Sequence, residues 1–543
     1  MKKNDRNAGL SGNEPLMLTR RHLLMGMGVG AATVAAGLSG CAAGAPQGAT
    51  SASADDASTT LKEPTETVEA DVVVVGSGIA GMSAAITAAE EGAKVVQLEK
   101  QSILGGGSNF AEGVFGMGSD LQKEAGVTGD LADLLAIEME FQKYKVDYTL
   151  WKGVLDGAEE NLLWLIDQGV EFIGLNEAIY GNLRTQHLYK DHRGANMIAK
   201  LEESARAAGV ETRLSTPAKH LIMEDGIVTG VQAESGKDVI NVKAKAVILA
   251  TGSSGSNWEL FDRHTSRSSK HYMWCGAQGI EGDGIKMAEE AGMGECYRLM
   301  APIVGTTVEP LGLTSQLAAL GACNPIALWV NQDGVRYMDE GQVRKVITAP
   351  NALDTQITSY SIVDQALFDT LVENGDPNVG WGFYVPRGTA LSEAPDELER
   401  EFERGTETIF KADSITELAE QLSMDPAVLQ QTVEEYNDVV DAQVDTVHRK
   451  DPKYLTHQVA APPFYAFHVV GSNVNMFGGI HINANCEVVR EDGSAIEGLY
   501  AAGLECGGFQ GETYGISIPS SCQGIGLSTG RCSAKHAAAY ARA

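Results

Sequence analysis

The chain has 543 residues, of which 72 are acidic and 41 basic, and a formal net charge of −31 at pH 7. This charge argues against binding to nucleic acid and against electrostatic adsorption to anionic lipid, because both surfaces would repel the protein. Its eight cysteines include no C-x-x-C or C-x-x-C-H spacing, which argues against haem c attachment and thioredoxin-like chemistry.

Residues 1–41 are typical of an export signal. Residues 19–24 read TRRHLL, a twin-arginine pattern, and a weakly apolar run and the lipobox-like sequence LSGC follow. We therefore expect cleavage before Cys41 and a lipid on that cysteine. A cleaved soluble precursor or a fortuitous arginine pair is the alternative. Residues 42–67, rich in Ala, Ser, Thr and Gly, are expected to form a flexible tether to the outer face of the cytoplasmic membrane.

Residues 71–100 predict a dinucleotide site. Four consecutive valines indicate a buried parallel strand, and Gly76, Gly78 and Gly81 form G-x-G-x-x-G at the turn into a helix. A second strand, residues 94–98, ends at Glu99. In such units the helix N-terminus faces a pyrophosphate and the acid binds ribose hydroxyls. An ordinary strand-turn-helix is the alternative.

Three later segments indicate which dinucleotide is bound. They read KQSILGGGS from residue 100, KAVILATGSSGS from residue 245 and EGLYAAGLECGG from residue 497. They resemble the further cofactor contacts of enzymes with the two-dinucleotide fold, and favour non-covalent FAD over NAD. The expected cofactor contacts are Gly76, Gly78, Ile79, Ala80, Gly81, Glu99, Lys100, Gly105, Gly106, Gly107, Ser108, Asn109, Ala218, Ala250, Thr251, Gly252, Asp283, Gly503, Glu505, Ser520, Ser521 and Ile525.

The cofactor segments divide the chain into domains. Most of them fall in residues 68–298 and the last in residues 471–543, with a mixed insertion between. We predict an α/β protein with a doubly wound, Rossmann-like FAD-binding domain in two parts. An α+β capping domain, residues 299–470, is inserted between these parts, and the active site is expected where the domains meet.

Seven segments in order identify a family resemblance. They read VVVVGSGIAGMSAA, LGGGSNFAEG, VILATGSSGSN, GDGIKMAEEAG, VNQDGVRYMDE, MFGGIHIN and GLYAAGLECGG. The chain resembles FAD-dependent fumarate reductase and succinate dehydrogenase flavoproteins, in particular the exported fumarate-reductase-like branch with its urocanate reductase-like members. The resemblance implies hydride transfer from flavin N5 to an activated C=C bond, and an arginine general acid that falls at Arg344. A surface arginine beside Lys345 is the alternative.

The substrate positions depart from this family. Residues 300–302 replace the H-P-T segment, Leu320 and Cys323 replace an acid–arginine relay, and Val474 and Tyr514 replace a histidine and an arginine. We therefore do not expect fumarate to be the substrate.

A second resemblance concerns residues 511–514. They read GETY and resemble the N-T-Y segment of 3-ketosteroid dehydrogenases, which implies that Tyr514 contacts the substrate. A tyrosine packed beside the flavin is the alternative. Phe110, Glu112 and His481 are further candidates for substrate lining, and Gln523 falls where the family meets the flavin pyrimidine edge.

The predicted function is an FAD-dependent reductase of an enoate or enone other than fumarate, acting as a terminal reductase in anaerobic respiration. The sequence shows no haem motif, iron–sulfur cysteine set or second G-x-G-x-x-G, and no metal site is predicted. A separate membrane or multihaem cytochrome is therefore the expected electron donor. The alternatives are a 3-ketosteroid dehydrogenase-like enzyme running in the oxidising direction and a non-catalytic flavoprotein electron carrier.

Overall fold

The computed structural model describes residues 61–127, 130–176, 184–294, 301–345, 347–382, 384–515 and 517–543. The chain divides into a first unit, Met1–Ser58, which lies outside these residues, and a second unit, Thr59–Ala543, which contains them. The predicted export signal and most of the predicted tether therefore lie outside the described residues. The prediction of a flexible tether is wrong at its end, because Lys62 and Thr65 are hydrogen-bonded to Gln232 and Val239, and residues 66 and 67 belong to a strand paired with Asp238–Lys243.

Strands make up two large and two small sheets in the described part of the chain. In chain order they are β1 (Glu66–Glu69), β2 (Val72–Val75), β3 (Val95–Leu98), β4 (Gly113–Phe115), β5 (Phe172–Leu175), β6 (Gln186–Tyr189), β7 (Glu211–Arg213), β8 (Ala218–Glu224), β9 (Ile227–Ser235), β10 (Asp238–Lys243), β11 (Ala246–Leu249), β12 (Tyr272–Trp274), β13 (Ala301–Val308), β14 (Leu328–Asn331), β15 (Ser359–Asp364), β16 (Ile409–Ala412), β17 (Phe464–Phe477), β18 (Glu487–Val489) and β19 (Ala495–Ala501).

Helices flank these sheets. In chain order they are α1 (Ile79–Glu90), α2 (Asp120–Glu124), α3 (Leu131–Phe141), α4 (Tyr148–Asp156), α5 (Ala158–Asp167), α6 (Gly194–Ala207), α7 (Trp258–His264), α8 (Asp283–Glu290), α9 (Gln316–Ala322), α10 (Thr348–Leu353), α11 (Gln365–Glu373), α12 (Ala394–Glu403), α13 (Ile415–Gln421), α14 (Pro426–Ala442) and α15 (Ser521–Arg542).

The central sheet has the strand order β18-β19-β11-β2-β3-β7, and its pairs are parallel except for β18 with β19. Strands β2, β3 and β11 are buried along their whole length and almost entirely apolar, as parallel strands covered on both faces are. Alanines of α1 pack with the sheet, because their small side chains allow close approach. The predicted α/β, Rossmann-like fold is confirmed.

A second six-stranded sheet is built around β17. The first half of this strand pairs with β15 and β16, and its second half pairs with β12 and β13. Strand β17 therefore runs through residue 470, the predicted end of the capping domain. The predicted amphipathic stretch in this region forms α13 and α14, which bury Leu418, Leu429 and Tyr436.

Two smaller sheets complete the fold, with strand orders β1-β10-β9-β8 and β4-β6-β5. None of the helices in the described part of the chain combines the length and apolar character needed to span a bilayer. Within the same residues no group of three or more His, Cys, Asp or Glu side chains is placed to hold a metal ion.

Candidate active site

A cavity of about 560 Å³ lies where the parallel strands of the central sheet end. Its lining includes Val75 and Leu98, which are the last residues of β2 and β3. It also includes Ala250 and Ala502, which are the first residues after β11 and β19. Open α/β sheets bind their ligands at the carboxyl ends of parallel strands. The cavity is therefore where the sequence predicts the cofactor.

The turn from β2 into α1 has no space for side chains. Gly76 has a φ of 110°, and a Cβ on it would lie 2.1 Å from the carbonyl oxygen of Ala250. A Cβ on Gly81 would lie 2.1 Å from the carbonyl oxygen of Gly76. Helix α1 consequently begins against both strands, without a side-chain cap, and its Ile79 amide donates to Ser108 Oγ over 3.0 Å. The amides and dipole of this first turn favour an anionic phosphate.

A buried carboxylate lies beside this turn, at the end of β3. Glu99 lines the cavity and accepts hydrogen bonds from the Ser77 hydroxyl and, over 2.7 Å, from the Gln101 amide. The next residue, Lys100, pairs with Asp283 at 2.6 Å, and both also line the cavity. A carboxylate held in this place can accept hydrogen bonds from ribose hydroxyls.

Most of the predicted cofactor contacts line the cavity: Gly76, Gly78, Ile79, Ala80, Glu99, Lys100, Gly106, Gly107, Ser108, Ala218, Ala250, Thr251, Gly252, Asp283 and Gly503. The others lie behind the lining: Gly81, Gly105, Asn109, Glu505, Ser520, Ser521 and Ile525. These residues support the lining from the protein interior. Asn109, for example, donates from Nδ2 to the Leu104 carbonyl over 2.8 Å and so holds the loop that contains Gly105, Gly106 and Gly107.

Glu505 is fully buried and acts through Thr251. Its carboxyl oxygens accept hydrogen bonds from the Thr251 amide at 2.6 Å and from the Thr251 hydroxyl at 2.7 Å. The same hydroxyl oxygen accepts a 3.0 Å hydrogen bond from the Gly284 amide at the start of α8. Burial, only partly offset by the Thr251 hydrogen bonds, raises the pKa of Glu505 to about 8.

Helix α15 brings a polar atom without a partner to the cavity. Gln523 lines the cavity, and its Oε1 is buried with no hydrogen-bond donor among the described residues. Such an atom costs free energy unless a ligand supplies a donor, as the ring N–H of an isoalloxazine does. The glycine turn, Glu99 and Gln523 together therefore fit FAD.

The capping region closes the other side of the cavity. Val343 and Arg344, in the short 3-10 turn Glu340–Arg344, line it, and Arg344 is half-buried. The Arg344 Nη1 group donates to the Asn378 carbonyl over 3.2 Å. The structure thus places Arg344 in the lining, whereas its neighbour Lys345 is exposed.

Buried charges anchor that turn. Arg336 contacts Glu340 at 2.8 Å and Asp445 at 2.7 Å, and Lys450 Nζ lies 3.3 Å from Glu340. Burial disfavours ionised Glu340, but the charge of Lys450 and the hydrogen bond from Arg336 outweigh it and lower the pKa of Glu340. Burial also disfavours ionised Asp445, but the hydrogen bond from the His448 amide and the charge of Arg336 outweigh it and lower the pKa of Asp445 to about 2. Because removing one partner would leave the others buried and unpaired, the turn is held firmly.

Residues 380–382 and 384–387, the aromatic turn, form a part of the lining that the sequence analysis missed. Trp381 and Val385 pair through two backbone hydrogen bonds of 2.8 and 3.1 Å. The Trp381 ring lies against β13, where a Cβ on Gly305 would lie 2.1 Å from the ring. The lining residues of this turn are Gly380, Trp381, Gly382, Tyr384 and Arg387. The sequence signal was a local concentration of aromatic residues and glycines, GWGFYVPR.

Two of the predicted substrate-lining residues lie in the cavity wall. Glu112 Oε1 lies 3.0 Å from the position that a Cβ on Gly382 would take. Burial and, second, the charge of Glu112 raise the pKa of Tyr384, so these two side chains are neighbours. Phe110 also lines the cavity but is 54% exposed, which places it where the cavity meets solvent.

The other two predicted substrate contacts do not line the cavity. Tyr514 is buried and stacks on Phe477, with ring centroids 5.7 Å apart and an interplanar angle of 12°. Burial raises the pKa of Tyr514 well above its ordinary value, and its hydroxyl lies beside Cys522, which does line the cavity. This placement matches the packed tyrosine that was the alternative. His481 lies outside the lining, and burial lowers its pKa.

A strand-end cavity with a glycine turn, a buried carboxylate beside it, and a Gln523 Oε1 that has no donor among the described residues is the arrangement expected of a dinucleotide-dependent oxidoreductase. Residues 71–517 match the FAD binding domain family, and the chain belongs to it. The predicted family, the predicted enzyme class and FAD as the cofactor are thereby confirmed.

Similar proteins include two curated reductases. The vinyl phenol reductase of Lactiplantibacillus plantarum is 34% identical over 480 residues, covering 87% of this chain and 96% of that protein. The urocanate reductase of Eggerthella lenta is 28% identical over 450 residues, covering 81% and 70%.

Solved structures show the same fold. A flavocytochrome c3 fumarate reductase in an open conformation has a TM-score of 0.64 at 25% identity, covering 88% of this chain and 79% of that one. A 3-ketosteroid dehydrogenase from Rhodococcus jostii has a TM-score of 0.61 at 24% identity, covering 89% and 99%.

The raised pKa of Glu505 predicts a pH-dependent stability. Between about pH 5 and pH 8 the folded protein keeps a proton on Glu505 that an unfolded carboxyl has released, so stability falls as pH rises through this interval. Thermal melting of the FAD-loaded protein across this range measures the fall. In the Glu505→Gln variant, the decrease in melting temperature over this range should be several degrees smaller than in the wild type. Glu373→Gln, at an exposed carboxyl, should keep the wild-type dependence on pH. An unchanged slope in Glu505→Gln would contradict the burial argument.

Proposed function

We propose that the protein reduces a C=C bond conjugated to an aromatic ring, with reduced FAD supplying a hydride from flavin N5. The observation that carries the proposal is one cavity whose lining includes the glycine turn after β2, Arg344, and the aromatic residues Phe110, Trp381 and Tyr384. Aromatic side chains favour an aromatic ligand through stacking and edge-to-face contacts. Similarity to a vinyl phenol reductase supports the same substrate class.

Arg344 is the proposed proton donor. Its guanidinium lies in the lining, is held through Asn378, and belongs to a turn that buried charges anchor. Because an arginine pKa is above 12, only a strongly basic carbon can take its proton, and solvent must then return one. Arg344 is half-buried, and its reduced contact with bulk water strengthens the electrostatic effect of this cation.

The capping region does not favour a dicarboxylate. Leu320 and Cys323, at two former relay positions, are buried in the protein interior, and Val474 is an apolar residue of the lining. Arg387 adds a second guanidinium to the lining, and a guanidinium can pair with a carboxylate. We therefore include aryl acrylates, which have one carboxylate, in the proposed substrate class.

A substrate panel tests the proposal. The FAD-loaded protein, with reduced viologen as electron donor under anaerobic conditions, should oxidise the viologen when given vinyl arenes or aryl acrylates. Fumarate and 3-ketosteroid enones should give little or no oxidation. Rapid reduction of fumarate together with inactivity on every aromatic alkene would overturn the proposal. Dehydrogenation of the saturated compounds with a quinone acceptor, at a higher rate than reduction, would favour the oxidising alternative.

The role of Arg344 predicts a matched pair of variants. Arg344→Gln removes the cationic donor and should lower turnover of the best substrate by about 10²–10⁴-fold. The neighbouring exposed Lys345→Gln should keep the wild-type rate. Both variants should retain the yellow flavin spectrum, because Arg344 belongs to the capping side. Full activity in Arg344→Gln would exclude Arg344 as the donor.

We also propose that the protein is exported by the twin-arginine route and lipid-anchored outside the cytoplasmic membrane, with a separate cytochrome as electron donor. The twin-arginine pattern in residues 19–24 and the lipobox-like sequence ending at Cys41 support the location. Similar proteins named as cytochrome-linked fumarate reductases support the donor class. The Cys41→Ser variant should move from the membrane fraction to the soluble fraction, and an unchanged distribution would contradict the anchor.

A further inference from the structure

We infer that Glu112, with Tyr384 beside it, binds the hydroxyl group of a phenolic substrate and takes up its proton during reduction. The inference rests on the proposed reduction of aromatic C=C bonds. It adds the substituent that the site recognises and the route of the phenolic proton.

Glu112 is fixed on the cavity wall by the fold. It immediately precedes β4, and its backbone carbonyl accepts a 3.0 Å hydrogen bond from the Tyr189 amide at the end of β6. A side chain at the start of a strand is positioned more rigidly than one in a free loop. Its carboxylate therefore has a defined place beside the aromatic turn.

The aromatic turn approaches the Glu112 carboxylate at Gly382, which has no side chain. Gly382 has a φ of 52°, and a Cβ there would lie 3.0 Å from Glu112 Oε1. Any larger residue would thus crowd the carboxylate and strain the turn. Tyr384 lies close enough for the charge of Glu112 to raise its pKa, after burial, so the Tyr384 hydroxyl remains a donor at neutral pH.

The cavity lining contains two other carboxylates, and both serve the cofactor side. Glu99 binds Ser77 and Gln101, and Asp283 pairs with Lys100. Glu112 is the lining carboxylate that lies against the capping side, where the substrate is expected. It is accordingly the residue placed to accept a hydrogen bond from a substrate hydroxyl.

The chemistry of a vinyl phenol requires such an acceptor. This substrate has no carbonyl group to take up negative charge, so the phenol oxygen must activate the alkene through the ring. Transfer of the phenolic proton to Glu112 makes the terminal vinyl carbon basic, and that carbon then forms a C–H bond with a proton from Arg344.

The remaining steps add the hydride and return the protons to the phenol oxygen and Arg344. The benzylic carbon of the resulting quinone methide accepts the hydride, its C=C bond becomes a single bond, and the ring regains its aromatic form. The phenolate oxygen recovers its proton from Glu112, and solvent reprotonates Arg344. One hydride and one proton have been added, and reduced FAD is the two-electron reductant.

Ligand binding tests the inference without turnover. The oxidised FAD-loaded protein is titrated with 4-ethylphenol and with 4-ethylanisole, whose methoxy group has no proton, and calorimetry gives both dissociation constants. The wild-type protein should bind the phenol at least about 10-fold more tightly, because a site built for a hydroxyl rejects the analogue that lacks it. Equal affinities would overturn the inference, and this comparison requires no variant.

Variants identify the residues. Glu112→Gln should remove most of the preference for 4-ethylphenol and leave 4-ethylanisole binding unchanged. Tyr384→Phe should reduce the preference, whereas Tyr360→Phe, outside the lining, should not. Retention of the full preference in Glu112→Gln would overturn the assignment to Glu112.

Turnover separates this inference from the proposed function. The reduced protein should convert 4-vinylphenol at least about 100-fold faster than 4-methoxystyrene, and Glu112→Gln should lose that ratio. Reduction of both compounds at equal rates would refute the role of Glu112 while the proposed function stands. Failure to reduce every aromatic alkene would instead refute the proposed function.

Discussion

The close approach of three backbone segments determines the cofactor side of the active site. The turn after β2, the first turn of α1 and the end of β11 touch at Gly76, Gly81 and Ala250, with no distance left for a side chain. This contact points the amides of α1 at the strand ends, where phosphate binding is electrostatically favoured. It also brings Thr251, after β11, and Glu99, after β3, to the same cavity. The cofactor wall is therefore made mainly by backbone, and few side chains can change it.

The capping side is held differently, by side-chain charges and packing. Arg336, Glu340, Asp445 and Lys450 are buried together, and their mutual attraction offsets the large cost of removing each from water. The turn that carries Arg344 is part of this cluster. The proposed role of Arg344 as proton donor requires its guanidinium to be held in place, since small displacements reduce proton transfer steeply. The cluster therefore serves positioning more than net stability.

How much of this site the sequence predicts depends on whether a local pattern carries it. The glycine turn and Glu99 follow from spacing along one strand-turn-helix unit, whereas Arg344 follows from the family resemblance, which places an arginine four residues after Glu340. A local sequence pattern does not show whether a residue lies in the cavity lining or behind it. Glu505 lies behind Thr251, and Tyr514 lies behind Cys522, although the sequence predicts that Glu505 contacts the cofactor and Tyr514 the substrate. The aromatic turn was missed because its place depends on β13, to which no motif connects it.

The difference between the two walls explains how one fold can serve different acceptors. A change of cofactor would require rebuilding backbone contacts that exclude even a Cβ, whereas a change of substrate requires only new side chains on the capping side. Leu320, Cys323 and Val474 offer no partner to a dicarboxylate. Trp381 and Tyr384 supply aromatic surface in the same cavity, beside the Glu112 carboxylate. Since a carboxylate disfavours a second anionic group close to it, these changes agree with the proposed preference for aromatic molecules with a proton to share over dicarboxylates.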